Sequence, residues 1–172
     1  MTSRNAPDTG ARTGALGFEE HDHSACVQDG MTAAQARCAN ESLRFTPVRQ
    51  KTLEILLQEH RALGAYEVLD RLRESGFGSQ PPVAYRALDF LVENGFVHKI
   101  EKLNAFIACT NPDKFHSPAF MICRKCESVA EAQSQHERGA LGEAAKAVGF
   151  LIEKTVVEAE GLCPACVNKA TS

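Results

Sequence analysis

The sequence predicts an α+β fold, in which a winged helix-turn-helix domain is followed by a small α/β domain with cysteine pairs at both ends. Three amphipathic helical patterns and a short β-hairpin fill residues 41–109, which is the element order of a winged helix. A shorter pattern of strands and one helix follows, flanked by two C-x-x-C pairs. Such pairs are typical of metal sites. A chain of 172 residues is long enough for two small domains and a tail.

The first 40 residues are expected to form a mobile tail. They are rich in Ala, Thr, Ser, Gly and Asp and contain almost no large apolar side chains, so they bury too little surface to offset the entropy of ordering. A short helix from Thr32 to Ser42 is the one element that the pattern suggests. His21, His23 and Cys26 could bind a metal if the tail became ordered, and the sequence leaves their role open.

Three helical patterns precede the hairpin. Thr46 followed by Pro47 is typical of a helix start, because Thr caps the first turn and Pro lacks an N–H that would be unpaired there. The second pattern runs from Ala65 to Ser75, and the third opens at Pro81 and ends at Asn94-Gly95. Apolar residues recur at spacings of three and four in each pattern, which predicts one buried face per helix.

Two β-like runs follow the helices and form the wing. They cover Phe96–Lys102 and Ala105–Cys109, with Leu103-Asn104 as the turn. The next segment is polar apart from Phe115, so we expect that without a metal nothing fixes one domain against the other. The predicted division is a tail over 1–40, a winged-helix domain over 41–109, an inter-domain loop over 110–118 and a second domain over 119–172.

The second domain is predicted to contain short strands around one helix. Strand-like runs occur at Ala119–Ile122, Ser128–Ala132 and Phe150–Ala159. Ser134 with Glu137 three residues later is typical of a capping box, which predicts that the helix begins at this point.

Four of the seven cysteines form the pairs Cys123-Arg-Lys-Cys126 and Cys163-Pro-Ala-Cys166. Two such pairs complete the tetrahedral set of thiolates that zinc favours. The functional alternative is a thiol oxidoreductase, whose C-x-x-C needs a helix N-terminus to lower a thiol pKa. The six residues after Cys166 are too few for such a helix. Unrelated buried cysteines are the ordinary alternative, and Cys38 receives no role.

Composition and charge bear on the class of protein. Apolar runs are shorter than the roughly 20 residues that span a bilayer, and Met1–Gly17 lacks the features of an export signal, so we expect a cytoplasmic protein. A closed four-cysteine site lacks the open position and the general base of a zinc hydrolase, so we expect no enzyme. Glu41–Leu103 holds nine Lys or Arg against nine Asp or Glu. DNA binding would therefore require basic side chains gathered on one face.

Two runs of residues carry a family resemblance, Pro81-Pro-Val-Ala-Tyr-Arg-Ala-Leu-Asp-Phe-Leu-Val-Glu-Asn-Gly-Phe-Val-His-Lys-Ile100 and Gly161-Leu-Cys-Pro-Ala-Cys166. They resemble the ferric uptake regulator family, and most of all its zinc uptake regulator branch. The resemblance implies a homodimer held by the second domain, which binds double-stranded operator DNA and represses zinc-uptake genes when zinc is bound. An iron- or peroxide-sensing member of the family is the alternative, although Phe115-His-Ser-Pro-Ala-Phe120 replaces the His-rich run of iron-type members.

The resemblance also implies a regulatory zinc site at His98, Cys109, His116 and Glu131, and hence two zinc ions per chain. His98 and Cys109 lie on the predicted wing, whereas Glu131 lies in the second domain, so a shared metal would join the domains. Two imidazoles, a thiolate and a carboxylate suit tetrahedral zinc better than six-coordinate iron. Taken singly, each residue has an ordinary explanation in the core or on the surface.

The polar side of the third helix is interpreted as the DNA-reading surface. Tyr85 and Arg86 lie near its N-terminus, where a recognition helix reaches base edges and where Arg can bond guanine with two N–H groups. Val83 stands where the family usually has Thr, which removes one polar contact. Asp70 and Arg73 resemble a pair through which neighbouring dimers touch on DNA, and an ordinary surface ion pair is the alternative.

Overall fold

The computed structural model describes residues 18, 23–59, 61–78, 80–110, 112, 117–134 and 139–169. The helices are α1 His23–Asn40, α2 Pro47–Leu57, α3 Ala65–Glu74, α4 Pro81–Glu93, α5 Ala140–Ala147 and α6 Pro164–Asn168. The strands are β1 Leu63–Gly64, β2 Val97–Ile100, β3 Ala105–Ala108, β4 Ser117–Cys123, β5 Val129–Ser134 and β6 Val157–Gly161. They form two three-stranded sheets, in the orders β1-β3-β2 and β5-β4-β6. Among the described helices, none is long and apolar enough to cross a membrane.

Helices α2 to α4 and the β2–β3 hairpin form the predicted winged helix-turn-helix. Helix α4 buries Leu88 and Leu91 on one side and exposes Tyr85 and Arg86 on the other. The turn of the wing contains Asn104 with a φ of 45°, a left-handed conformation that Asn adopts more readily than most residues. The predicted α+β class, with this domain first and a small α/β domain second, is confirmed.

Helix α1 corrects the expectation that the chain is a mobile tail up to residue 40. Ala34 and Cys38 on this helix are buried in the same core as α2. Gly30 lies so close to Leu57 that an added Cβ would come 2.9 Å from Leu57 Cδ2. The tail was predicted because residues 1–40 contain almost no large apolar side chains. Here, however, the two helices approach closely through small residues.

The second sheet is built on β4, which pairs antiparallel with β5 and parallel with β6. The pairing of β5 with β4 carries the chain through Ser134 as a strand, so the predicted capping box of Ser134 and Glu137 is wrong. Helix α5 begins at Ala140, and residues 135–138 lie outside the described part of the chain. Strand β6 begins at Val157, and the predicted strand therefore began too early.

An apolar cluster lies between the wing and the second sheet. Ile100 and Ile107 from the wing pack with Phe120, Ile122 and Val129 from β4 and β5, and all are buried. This contact corrects the expectation that a metal alone could fix the two domains, because that expectation considered only the loop between them. Burial of apolar surface holds the wing against the sheet without any ligand.

Candidate metal centres and DNA-reading surface

The four-cysteine cluster lies where the ends of two neighbouring parallel strands meet. Cys123 ends β4 and pairs in register with Gly161 at the end of β6, two residues before Cys163. Cys126 follows in the turn after β4, and Cys166 lies in α6. The four Sγ atoms lie within 4.8 Å of one another, and Cys126 Sγ is 3.6 Å from Cys163 Sγ. Tetrahedral zinc with bonds of about 2.3 Å needs sulfurs about 3.8 Å apart, so the cluster fits zinc.

Backbone hydrogen bonds shape the two turns that carry these sulfurs. The Arg124 N–H donates to the Gly161 carbonyl at 2.9 Å, which ties the first turn to the end of β6. The Glu127 N–H closes that turn on the Cys123 carbonyl, also at 2.9 Å. The sulfurs therefore converge because β4 and β6 are neighbours in the sheet.

The thiols of this cluster differ in acidity. A hydrogen bond from the backbone N–H of Cys163, assisted by those of Cys126 and Lys125, lowers the pKa of the Cys123 thiol to about 6. Burial, together with the three neighbouring thiols, raises the pKa of Cys166 to about 12. The cluster therefore resists carrying four thiolates at neutral pH unless a cation compensates their charge.

Helix α6 was not predicted, and it bears on the redox alternative. Cys163 is the N-cap of this five-residue helix, which begins inside the second pair, so the expectation that too few residues remain for a helix is wrong. The arrangement itself speaks against redox chemistry. The six cysteines whose side chains the structure describes are free thiols, and four of them converge where a dithiol oxidoreductase uses a single pair.

A second cluster contains His98, Cys109 and Glu131, whose ligand atoms also lie within 4.8 Å of one another. His98 comes from β2, Cys109 directly follows β3, and Glu131 comes from β5. His98 Nε2 is 3.3 Å from Glu131 Oε1, close to the roughly 3.3 Å that separates nitrogen and oxygen ligands of one tetrahedral zinc. The structure thus brings together donors from both sheets in a set that fits zinc.

The remaining predicted ligand, His116, lies outside the described residues, as do His21 and the side chains of His23 and Cys26. Three of the four ligands predicted for the regulatory site are therefore placed by the structure, and all three are in one cluster.

Two residues that the sequence analysis did not single out orient this second cluster. The Thr110 N–H and hydroxyl both donate to Glu131 Oε2 at 3.0 Å, while Glu131 Oε1 faces His98. The Phe120 ring lies against the His98 imidazole, with centroids 5.4 Å apart. Thr110 could have been predicted to contact this cluster, because it directly follows Cys109 in the sequence. The contact of Phe120 with His98 depends on the packing of the wing on β4, which a local sequence pattern cannot predict.

The exposed side of α4 carries the residues predicted to read DNA. Tyr85 is 42% exposed, and Arg86 is exposed beside it. Arg86 lines a shallow groove together with Arg44 and Arg49. The Arg49 guanidinium is 3.7 Å from the centroid of the Phe90 ring and donates to the Arg44 carbonyl, which fixes its position. Three cations therefore share one face, although the domain as a whole is balanced in charge.

Asp70 and Arg73 form an ion pair within α3, with Arg73 Nη1 3.1 Å from Asp70 Oδ1. Both side chains are about half exposed or more. The pair is compatible with the ordinary surface interaction, and the contact between neighbouring dimers stays a prediction.

Comparison with known proteins agrees with this architecture. The Ferric uptake regulator family model matches residues 40–159. The zinc uptake regulation protein of Escherichia coli (strain K12) is 39% identical over 143 residues, which are 83% of this chain and 84% of that protein. A solved zinc uptake regulator complexed with zinc and DNA has a TM-score of 0.80 and 37% identity, over 85% of this chain and 98% of that chain.

The crystal structure of holo XcZur gives a TM-score of 0.74 and 38% identity, over 86% of this chain and 99% of that chain. The family match covers most of the residues that the fold and both clusters occupy. The chain belongs to the ferric uptake regulator family, in its zinc uptake regulator branch.

Proposed function

We propose that this chain is a zinc-responsive transcriptional regulator, which binds operator DNA as a homodimer and represses zinc-uptake genes when zinc is bound. The observation that carries the proposal is the cluster of His98, Cys109 and Glu131, whose donors come from both the wing and the second sheet. Likeness to zinc uptake regulators over more than four fifths of the chain supports the same function.

In this proposal, zinc supplies a bond shared by the two halves of the chain, with His116 as the fourth ligand. Pairing of β2 with β3 holds His98 and Cys109 on the wing side, and Thr110 orients Glu131 on the other side. A change in the angle between wing and sheet changes the separation of the donors. Metal affinity and domain arrangement are therefore linked, and each biases the other.

The four cysteines would hold a second zinc with a structural role. All four come from one end of a single sheet, so a metal there leaves the angle between the domains unchanged. Its binding energy would instead contribute to folding of the second domain. Each chain would therefore bind two zinc ions, one that controls the domain arrangement and one that stabilises the second domain.

DNA contact would involve α4 and the groove beside it. Arg86 and Tyr85 are exposed near the start of the helix and would face base edges. Arg44 and Arg49, on the other wall of the groove, would meet phosphates, which fix the register of the protein on the duplex.

A homodimer is supported by apolar side chains that the second domain leaves exposed. Leu141 on α5 is 53% exposed, and Phe150 and Leu151 after it are 67% and 80% exposed. Large apolar side chains exposed this close together in the chain are typical of protein interfaces, and a second copy of the chain would cover them. Residues 119–172 would then form the dimerisation domain.

The proposal is tested by metal titration of DNA binding. A duplex selected from a random library by the zinc-loaded protein is labelled, and its anisotropy is followed while metal-free protein receives Zn²⁺, Mn²⁺ or, without oxygen, Fe²⁺. We expect Zn²⁺ to restore tight binding and Fe²⁺ to fail, because a thiolate ligand favours zinc. Restoration by Fe²⁺ but not by Zn²⁺ would assign the chain to iron sensing instead.

A further inference from the structure

Glu158 binds the tip of the wing from the second sheet. Its carboxylate accepts the backbone N–H of Glu101 at 2.7 Å through Oε1 and that of Lys102 at 2.9 Å through Oε2. Both amides belong to the turn of the wing, outside the register in which β2 pairs with β3. Hydrogen bonds to an ionised carboxylate are stronger than those between neutral groups.

Strand register places Glu158 in line with the regulatory cluster. Phe120 on β4 pairs with Glu131 on β5 and with Glu158 on β6, so the three side chains share one face of the sheet. Phe120 is buried in the apolar cluster under the wing. The wing is therefore held at its base near Glu131 and at its tip by Glu158.

Glu160 offers a comparison on the same face of β6. It lies two residues beyond Glu158 and pairs with Lys102, Nζ to Oε2 at 2.8 Å, with both side chains over 40% exposed. An exposed ion pair of this kind contributes little to a conformational equilibrium. Glu158, in contrast, is half-buried and binds main-chain groups, which have far less freedom than a lysine side chain.

We infer that Glu158 is a metal-independent positioning residue, which holds the wing in the DNA-binding arrangement. Zinc then strengthens an arrangement of wing and second sheet that already exists without it. This inference rests on the proposed function. The arrangement described here is the relevant one, because the chain has a TM-score of 0.80, over 85% of its length, against a zinc uptake regulator complexed with zinc and DNA.

The expected effect of Glu158 is on the zinc concentration that the protein needs. Apparent affinity for a ligand scales with the fraction of molecules already in the binding arrangement. Loss of Glu158 lowers that fraction but leaves His98, Cys109, Glu131 and the DNA-reading helix intact. More zinc is then required for half-maximal DNA binding, while the affinity for DNA at saturating zinc is unchanged.

The test compares full-length Glu158→Ala with Glu160→Ala as the matched control. We expect Glu158→Ala to raise the zinc concentration for half-maximal DNA binding by about three- to tenfold, and Glu160→Ala to leave it within about twofold of wild type. In the metal-free protein, amide hydrogen exchange at Glu101 and Lys102, measured by NMR, should accelerate in Glu158→Ala alone. If Glu158→Ala folds poorly, Glu158→Gln removes the charge and keeps the size.

An unchanged zinc midpoint together with unchanged exchange at these amides would overturn the inference, as would an equal shift in both variants. Amide exchange does not depend on DNA. If wild type fails to bind DNA with zinc while the exchange still accelerates in Glu158→Ala, the proposed function has failed and the contact at the wing tip stands as a structural clamp.

Discussion

The two clusters of metal-ligating side chains differ in how many parts of the fold they join. The cysteine cluster is assembled from the adjacent ends of β4 and β6 and the turns that follow them, within one sheet. The second cluster takes His98 and Cys109 from the wing and Glu131 from the other sheet. The distances between ligand atoms are thus similar in a cluster within one sheet and in a cluster between two sheets.

Under the proposed function, this difference separates the metal site that stabilises the fold from the one that regulates DNA binding. A metal within one sheet has no second arrangement to select, so its binding energy contributes to folding. A metal between two sheets binds one relative arrangement better than others, which is the condition for a ligand to shift a conformational equilibrium. The apolar cluster around Phe120 and the contact of Glu158 already favour packing of the wing against the second sheet. A metal shared by His98 and Glu131 would therefore supply only part of the free energy that stabilises this arrangement.

The largest effect is expected from Cys163→Ser. Loss of one thiolate leaves the buried thiols of Cys123 and Cys166 and the exposed thiol of Cys126 with a weakened metal site, and the turns at the ends of β4 and β6 lose their common ligand. We expect zinc content to fall, and the protein to become monomeric or aggregated, as measured by elemental analysis and light scattering. A well-folded dimer that lacks one zinc would show that this metal is dispensable for the fold.

Cys109→Ser is the counterpart in the second cluster. The residue follows β3 and its side chain is buried near His98, so a serine of similar size keeps the packing while losing the thiolate. We expect one zinc per chain, an unchanged dimer and a thermal midpoint close to wild type, together with loss of zinc-stimulated DNA binding. A wild-type zinc response in this variant would mean that the sensing site has been misplaced.

Arg86→Ala should separate DNA reading from both metal clusters. Its side chain is exposed on α4, and a specific base contact is worth about 1–3 kcal/mol, which a dimer loses twice. We expect operator affinity to fall by about 5- to 150-fold per half-site at unchanged zinc content. Glu93→Ala, exposed on the same helix, is the control. Equal affinity of Arg86→Ala and wild type would remove α4 from the reading role.

The smallest effect is expected from Thr110→Val, which removes the hydroxyl that donates to Glu131 Oε2 and keeps the backbone N–H bond. Partners that orient metal ligands tune affinity, and we expect the zinc midpoint of DNA binding to rise by up to about tenfold. Thr155→Val is the matched control, since the buried Thr155 hydroxyl has no hydrogen-bond partner among the described residues. A shift of the same size in both variants would point to general destabilisation.

Local patterns in the sequence were sufficient for the winged helix and for the cysteine cluster. Helix α2 begins at Pro47, and α4 runs from Pro81 to Glu93, because a proline in the first turn and apolar spacing act within a few residues. The predicted side-chain cap is absent, since Thr46 lies at the N-cap but makes no cap hydrogen bond. The cysteine pairs were visible because two ligands stand three residues apart in each. The predicted regulatory ligands came from family resemblance, since His98, Cys109 and Glu131 share no local pattern.

Contacts between distant segments could not be predicted. The packing of Gly30 on Leu57 relies on small residues that the pattern treats as tail, and Ser134 belongs to a strand because of its partner strand rather than its own neighbours. The grip of Glu158 on the wing requires both the parallel pairing of β4 with β6 and the packing of the wing on that sheet. These depend on tertiary structure, which the sequence pattern does not encode locally.

The most direct test of the division between the two clusters is stepwise removal of zinc from the wild-type protein by chelators of increasing affinity. Zinc content, circular dichroism, dimer mass and DNA binding are followed on the same samples. We expect the zinc at His98, Cys109 and Glu131 to leave first, together with DNA binding, while fold and dimer persist. The zinc at the four cysteines should leave only as the second domain unfolds. Loss of both zinc ions in one step, or DNA binding that survives removal of the first, would contradict this division.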